Sequence, residues 1–463
     1  MTGEVLKDGL PEAFESFRAL VGRVLEAERE EPVRAPIPPQ VVERMLPLRP
    51  PEHPRPWSDV AVDLERLATL GPRTSTQAFF NQLFGGRLGS ATVADMLACL
   101  LNHSMYTFKV AGPHVLLEKA LISHMGRLVG FEETEGTFAP GGSLSNLVAM
   151  ILARNVHFPG SREEGIDGQR PMVYVSAEGH YSIKKNAGLI GLGRRNVRSV
   201  PVDDSGRMDP HALRAAVRED ARSGLEPFMV VGTAGTTVRG AFDPIDALAD
   251  VAEAEGLWLH VDGAYGGSLL LSSNTRHLLA GCHRVDSFTW DAHKLMGVPL
   301  TSSVLLLPRS GLLERNLSEA ADYLFQGSAE SLDPGQRSLQ CGRRNDALKL
   351  WTAWQRHGDQ GFAARIDRCR ALARICADGV RDRPRLRLVE EPQSMNVCFE
   401  VPGVDVDRLV SKLNDSGQAV VGTASVHGRR VIRWVAVNPE IREEHVHQFL
   451  ASVESEATAV DAA

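Results

Sequence analysis

The chain has 463 residues, 43% hydrophobic and 24% charged, the composition of a globular protein too long for one hydrophobic core. A formal net charge of -7 argues against nucleic acid as the main partner, because gripping a phosphate backbone needs a basic surface. No apolar stretch approaches a membrane span, and the six cysteines (Cys99, Cys282, Cys341, Cys369, Cys376, Cys398) contain no CxxC pair, so no membrane, no metal and no disulfide framework are expected, and a cytoplasmic location fits.

Along the chain, residues 11–30 place Phe14, Phe17, Val21, Val24 and Leu25 on one stripe among Glu and Arg, predicting an amphipathic helix. The proline-rich stretch from Pro32 to Pro56 is expected to form neither helix nor central strand and to run extended over another surface. Strands are predicted at 172–176, 197–202, 228–233, 257–262, 287–290 and 303–307, with helices such as 210–222 and 244–255 between several of them. Near-continuous apolar strands of this kind indicate a mainly parallel sheet covered on both faces, with ligands at the carboxyl ends of its strands. After a helical stretch near 346–382, short strands at 397–401, 419–424 and 431–437 and a closing helix marked by Val446, Phe449, Leu450 and Val453 predict a smaller α+β domain. The expected division is 1–88 as a helical, proline-rich arm packing on a partner subunit, 89–355 as the large domain and 356–463 as the small C-terminal domain.

Two residues carry most of the chemistry. Lys294 closes the run Ser287-Phe-Thr-Trp-Asp-Ala-His-Lys294, and Asp262 ends the predicted strand His-Val-Asp262-Gly-Ala264. A lysine amine can hold an aldehyde as a Schiff base, and a carboxylate can keep a pyridine nitrogen protonated so that the ring accepts electrons. The pair reads as the two poles of a pyridoxal 5'-phosphate (PLP) site. Pro140-Gly-Gly142-Ser143-Leu-Ser145-Asn146 precedes a helical run and offers free backbone N–H groups and hydroxyls to a phosphate. His180 follows a predicted strand, where an imidazole can stack on an aromatic ring.

In chain order the Gly-Gly-Ser turn, His180, Thr233-Ala-Gly-Thr-Thr, His-Val-Asp262-Gly-Ala264 and His293-Lys294 form a series that resembles the group II PLP-dependent amino-acid decarboxylases. Phe79-Phe-Asn-Gln82-Leu-Phe84, Tyr323-Leu-Phe-Gln, Gln340-Cys-Gly-Arg-Arg, Lys349-Leu-Trp and Arg433 extend the match, and the first and third of these segments point to the glutamate and cysteine sulfinate decarboxylase subgroup. The resemblance implies an α/β chain of PLP-dependent transferase fold type I, similar to aspartate aminotransferase, working as a homodimer with active sites at the interface. It also implies roles. Lys294 would carry the Schiff base, Asp262 would pair with the ring nitrogen, His180 would stack on the ring and Ala264 would pack against its other face. Thr233 would lie near the ring hydroxyl, and Gly142, Ser143, Ser145, Asn146 and His293 would serve the phosphate. Arg433 would bind the substrate α-carboxylate, and Tyr323 would deliver a proton to the carbanion.

Among the family's substrates, the expectation is a short acidic L-amino acid such as cysteine sulfinate, aspartate or cysteate. Gln82 would hydrogen-bond the distal acid, and Phe84 and Tyr106 are bulkier or more polar than the Ser and Phe usual in glutamate decarboxylases. Glutamate, or a sulfonate or phosphonate analogue of aspartate, is the alternative; an aldehyde-forming enzyme and an inactive regulatory partner are further ones. Three departures from relatives stand out: Lys109 in place of Glu, Asp291 in place of Asn before the His-Lys pair, and Gly263 in place of Ala beside Asp262.

Overall fold

The computed structural model describes residues 10–33, 37–319 and 332–461. Its central sheet has seven strands: β1 (Glu135–Ala139), β2 (Pro171–Ser176), β3 (Val197–Val200), β4 (Glu226–Thr233), β5 (Trp258–Asp262), β6 (Ser287–Asp291) and β7 (Ser303–Leu307), in the order β1-β7-β6-β5-β4-β2-β3. The run from β3 to β6 is parallel, while β7 lies antiparallel to both β1 and β6. Every residue of β2, β5, β6 and β7 is buried, as a sheet covered on both faces requires. Local signals place the covering helices. Pro210 opens the Pro210–Arg222 helix at a position where its missing N–H is no loss, and the Asp209 carboxylate accepts from His211 N and Ala212 N.

Strand β1 was not anticipated, because Glu135-Gly-Thr-Phe-Ala opens on a charge. That charge is consumed by a helix far along the chain: the Glu135 carboxylate accepts from Leu312 N at 2.8 Å and Leu313 N at 3.0 Å, capping the start of the Leu312–Leu317 helix. Gly136 fits because a Cβ there would lie 2.6 Å from the Leu305 carbonyl oxygen on the adjacent strand.

A second, antiparallel sheet follows, with β8 (Arg387–Leu388), β9 (Asn396–Glu400), β10 (Gly422–Val426) and β11 (Arg429–Val435) in the order β10-β11-β9-β8. Strand β10 begins later than the sequence pattern suggests, because its register is set by the tight His427-Gly428 turn, both residues having positive φ (50° and 72°). The residues just before β10 do something else: Val420 N donates to Ala78 O and Val420 O accepts from Phe80 N. Phe80, fully buried, lies 5.1 Å from the rings of both Trp434 and Phe449. Residues 78–80 are thus built into the core around the second sheet.

The Leu10–Glu30 helix forms and leans on the Trp57–Leu70 helix, with Trp57 Nε1 donating to Ser16 Oγ at 3.0 Å and Arg23 paired with Glu65 at 2.5 Å. Contrary to expectation, the proline-rich stretch contains a helix, Pro39–Met45, which starts on its proline. The long helix Asp346–Arg381 is broken at Gly358 (φ 60°, ψ 179°) and so is two helices meeting at a kink. Among the described residues no helix is long and apolar enough to cross a membrane.

Candidate active site

The carboxyl ends of β4, β5 and β6 and the start of the Gly142–His157 helix enclose a cavity of about 270 Å³. Lys294, Asp262, His180, Thr233, Ala264 and His293 all line it, as do Gly142, Ser143 and Asn146. Residues spread from 142 to 294 in sequence meet here because parallel strands deliver their C-terminal ends to one edge.

Asp262 is 6% exposed, accepting from Asn146 Nδ2 at 2.8 Å and from Ala264 N at 3.2 Å. Thr233, held by its N–H on the Asp243 carboxylate at 2.7 Å, presents a buried hydroxyl with no protein partner. His180 Nδ1 lies 2.8 Å from Ser182 Oγ, and burial pushes its pKa below the ordinary histidine value. The imidazole is therefore neutral at physiological pH. Gly141 (φ 103°, ψ 157°) turns the chain into the Gly142–His157 helix and leaves its first N–H groups at the cavity, and any Cβ on Gly142 would meet Asp291 Oδ2 at 2.7 Å.

Asp291, 1% exposed, extends between Gly142 and Lys294. Its Oδ2 lies 3.3 Å from Lys294 Nζ and 3.6 Å from His293 Nε2, while its Oδ1 has no partner. A lysine amine, the cationic partner that a buried carboxylate in this position calls for, is thus present beside it. Gly263 also has a physical reason, since a Cβ there would lie 2.4 Å from Phe288 Cζ. Gly263→Ala is expected to lower the unfolding free energy by about 1–3 kcal/mol through overpacking. A urea unfolding midpoint equal to that of the parent protein would mean that the Phe288 ring yields freely.

Other sequence-predicted residues lie elsewhere. Ser145 is fully buried outside the cavity walls, its Oγ 2.7 Å from Ser303 Oγ. Gln82 is exposed and Phe84 and Tyr106 are half-buried; none of the three lines the cavity, although Leu83, between the first two, does. Arg433 reaches the cavity's rim from β11, where its guanidinium donates to the carbonyls of Asn81 and Thr237, the latter a wall residue. Lys109 is exposed, and Tyr323 lies outside the described residues. Sequence reading missed Thr237, Tyr181 and Tyr265, which complete the walls. The Tyr265 hydroxyl, donating to Asn396 Oδ1 at 2.9 Å, ties the site to the small sheet.

A family model described as the pyridoxal-dependent decarboxylase conserved domain matches residues 39–402. The chain belongs to this family. Cysteine sulfinic acid decarboxylase of Mus musculus is 40% identical over 422 residues, covering 84% of this chain and 85% of that protein. An acidic amino acid decarboxylase of Bos taurus is 40% identical over 367 residues, covering 78% and 70%. The crystal structure of mouse CSAD superposes with a TM-score of 0.91 at 34% identity, over 96% of this chain and 99% of that one. That of Oryza sativa TDC with PLP and tryptamine gives 0.91 at 26% identity, over 99% of each. The protein is accordingly a PLP-dependent amino-acid decarboxylase of fold type I.

The residues present fit this cofactor. A partnerless buried hydroxyl on Thr233, a glycine-lined helix start, a lysine amine and a carboxylate at one small cavity match an aromatic ring bearing a hydroxyl, an aldehyde, a basic nitrogen and a phosphate.

Proposed function

We propose that this decarboxylase acts on a short acidic L-amino acid of the cysteine sulfinate, aspartate or cysteate type, releasing the amine and carbon dioxide. The observation that carries the reading is the meeting of Lys294 and Asp262 at one cavity with Arg433 anchored on its rim. The acidic class is supported by the relatives, two of which are named for acidic substrates.

Bound PLP supplies an electron sink for the pair released when the Cα–carboxylate bond breaks. In the proposed division of labour, Lys294 would hold the cofactor covalently until the substrate amine takes its place. Asp262 would keep the ring nitrogen protonated, its buried anion offset by the cation beside it. His180 and Ala264, both in the cavity wall, would flank the ring. Thr233 would donate its free hydroxyl hydrogen, and Gly142, Ser143 and His293 would hold the phosphate at the helix start, while Ser145 and Asn146, on the same helix, turn to Ser303 and Asp262 instead. Arg433 fixes the substrate α-carboxylate, so that orientation selects the bond to be broken. Tyr323 would deliver a proton to Cα in place of the departed carboxylate. Gln82, Phe84 and Tyr106 set the substrate's length from the mouth of the site, a position supported by the presence of Leu83 in the cavity wall.

A carbon dioxide release assay across aspartate, cysteine sulfinate, cysteate, glutamate and phosphonoalanine tests the substrate class. One of the short acids is expected to exceed glutamate in kcat/KM by at least about tenfold, the least that one methylene is worth in a fitted pocket. Phe84→Ser should narrow that ratio; glutamate as the best substrate of the parent enzyme would overturn the reading.

The working unit is proposed to be a homodimer in the cytoplasm, with 1–88 as an arm reaching the partner and units of 89–355 and 356–463 behind it. Its support is a run of exposed apolar side chains (Phe14, Phe17, Val21, Leu67, Val93, Leu100) on three neighbouring N-terminal helices, more than a free surface normally carries. Six thiols without disulfide partners suit a reducing compartment. Sedimentation should give a dimer, and Phe17→Glu with Val93→Glu should shift it towards monomer. A parent protein that sediments as a monomer would remove the proposal.

A further inference from the structure

A line of buried polar side chains runs through the sheet behind the cavity. Trp258 Nε1 lies 2.9 Å from Ser287 Oγ, which lies 2.8 Å from His260 Nδ1. His260 Nε2 lies 3.0 Å from Asn146 Oδ1, and Asn146 Nδ2 lies 2.8 Å from Asp262 Oδ2 and 3.2 Å from Ser182 Oγ. The line exists because His260 and Asp262 are two apart on β5 and face the Gly142–His157 helix together, while Ser287 is the register partner of His260 on β6.

The directions are set from the carboxylate end. An ionised Asp262 only accepts, so the Asn146 NH2 group faces it and Asn146 Oδ1 faces His260 Nε2, which must then carry the imidazole proton; the flipped amide would set its oxygen against the carboxylate. His260 Nδ1 is left as the acceptor for the Ser287 hydroxyl hydrogen, and Ser287 Oγ accepts from the indole N–H of Trp258, which only donates. The second amide hydrogen falls to Ser182, whose own hydroxyl donates to His180 Nδ1, an atom that also accepts from Ser182 N. Two cofactor-facing groups, Asp262 and His180, thus have their hydrogen positions set from one branch point. Ser182, Ser287 and His260 are fully buried and Asn146 is 1% exposed, so water cannot substitute for any link. Burial also pushes the His260 pKa down to about 4, keeping the ring neutral.

We infer that Asn146 and His260 are positioning residues: the chain from Trp258 through His260 orients the Asn146 amide, which holds Asp262 as an anion aimed at the ring nitrogen and fixes His180 as the Nε2–H tautomer. This rests on Asp262 as the partner of the ring nitrogen, and it moves Asn146 from the phosphate to the opposite pole of the cofactor.

The test uses the holoenzyme. Nitrogen NMR of histidine-labelled protein at pH 7 should find His260 neutral with its proton on Nε2; a protonated ring, or a proton on Nδ1, overturns the inference without any variant. Asn146→Asp keeps the shape but replaces the donor by a second acid. With nitrogen-labelled PLP, it should lower the ring-nitrogen protonation seen in the parent enzyme and reduce kcat by about ten- to a hundredfold with KM little changed, the loss expected of a hydrogen bond to a charged group. His260→Phe should act in the same direction, and His260→Gln, which can accept from Ser287 and donate to Asn146, should recover part of the loss. Unchanged ring-nitrogen signal and kcat in Asn146→Asp and His260→Phe would reduce the line to core packing. An unprotonated ring nitrogen in the parent holoenzyme would instead remove the role of Asp262 itself, a result separable from the tautomer of His260.

Discussion

Lys294→Ala should abolish the covalent retention of PLP and cut decarboxylation by at least about three orders of magnitude, the scale seen when the nucleophilic member of a catalytic set is removed. The amine ends a loop after β6 and lies 3.3 Å from Asp291 Oδ2, with its side chain 22% exposed to the cavity. Alanine removes the attachment point without disturbing a packed core, so the variant should fold and still bind PLP through its phosphate and ring contacts. Borohydride reduction followed by mass spectrometry reads the linkage: the parent protein should carry the cofactor on residue 294 and the variant should carry none. Normal turnover by Lys294→Ala would remove the assigned chemistry.

Asp262→Asn is expected to lower kcat by about two to three orders of magnitude, a loss typical of deleting one preorganised electrostatic contact. The substitution conserves volume but removes the anion, and it sets an NH2 group among the donors Asn146 Nδ2 and Ala264 N that now point at the carboxylate. Neither donor can turn away within its buried surroundings, so the new amide satisfies one of them at most. Asp262→Glu should retain more activity than Asp262→Asn if charge is what matters. If the amide variant works as well as the parent, ring protonation is not supplied from this position.

The seven-stranded sheet was legible because most of its strands are short apolar runs bounded by polar turns, and a buried parallel sheet writes that pattern most plainly. Strand β1 escaped because its glutamate is satisfied by backbone N–H groups of a distant helix, a partnership no local pattern reveals. The helix inside the proline-rich stretch escaped for the opposite reason: Pro39 counts as a breaker by composition and as a starter by position. At the site, Lys294, Asp262, His180 and Thr233 were readable because each ends or follows a strand. Ser145 and Asn146 looked equivalent to Ser143 in sequence, yet the turn of the helix directs one to Ser303 and the other to Asp262. The alternation along β5 that buries His260 on the same side as Asp262 was visible, but its meaning depended on Ser287, which only strand pairing brings alongside. Gly263 acquired its reason only from the Phe288 ring.

Arg433 has a mechanical consequence beyond its charge. It stands on the small sheet, one residue from Trp434, which stacks with Phe80, while its guanidinium is tethered to Asn81 and to Thr237 on the far side of the cleft. A clasp of this kind couples the looseness of one body to the grip of the other. With Arg433 binding the substrate carboxylate as proposed, warming or mutation that slackens the small body should register first as weakened hold on the amino acid, well before the strands bearing Lys294 and Asp262 give way.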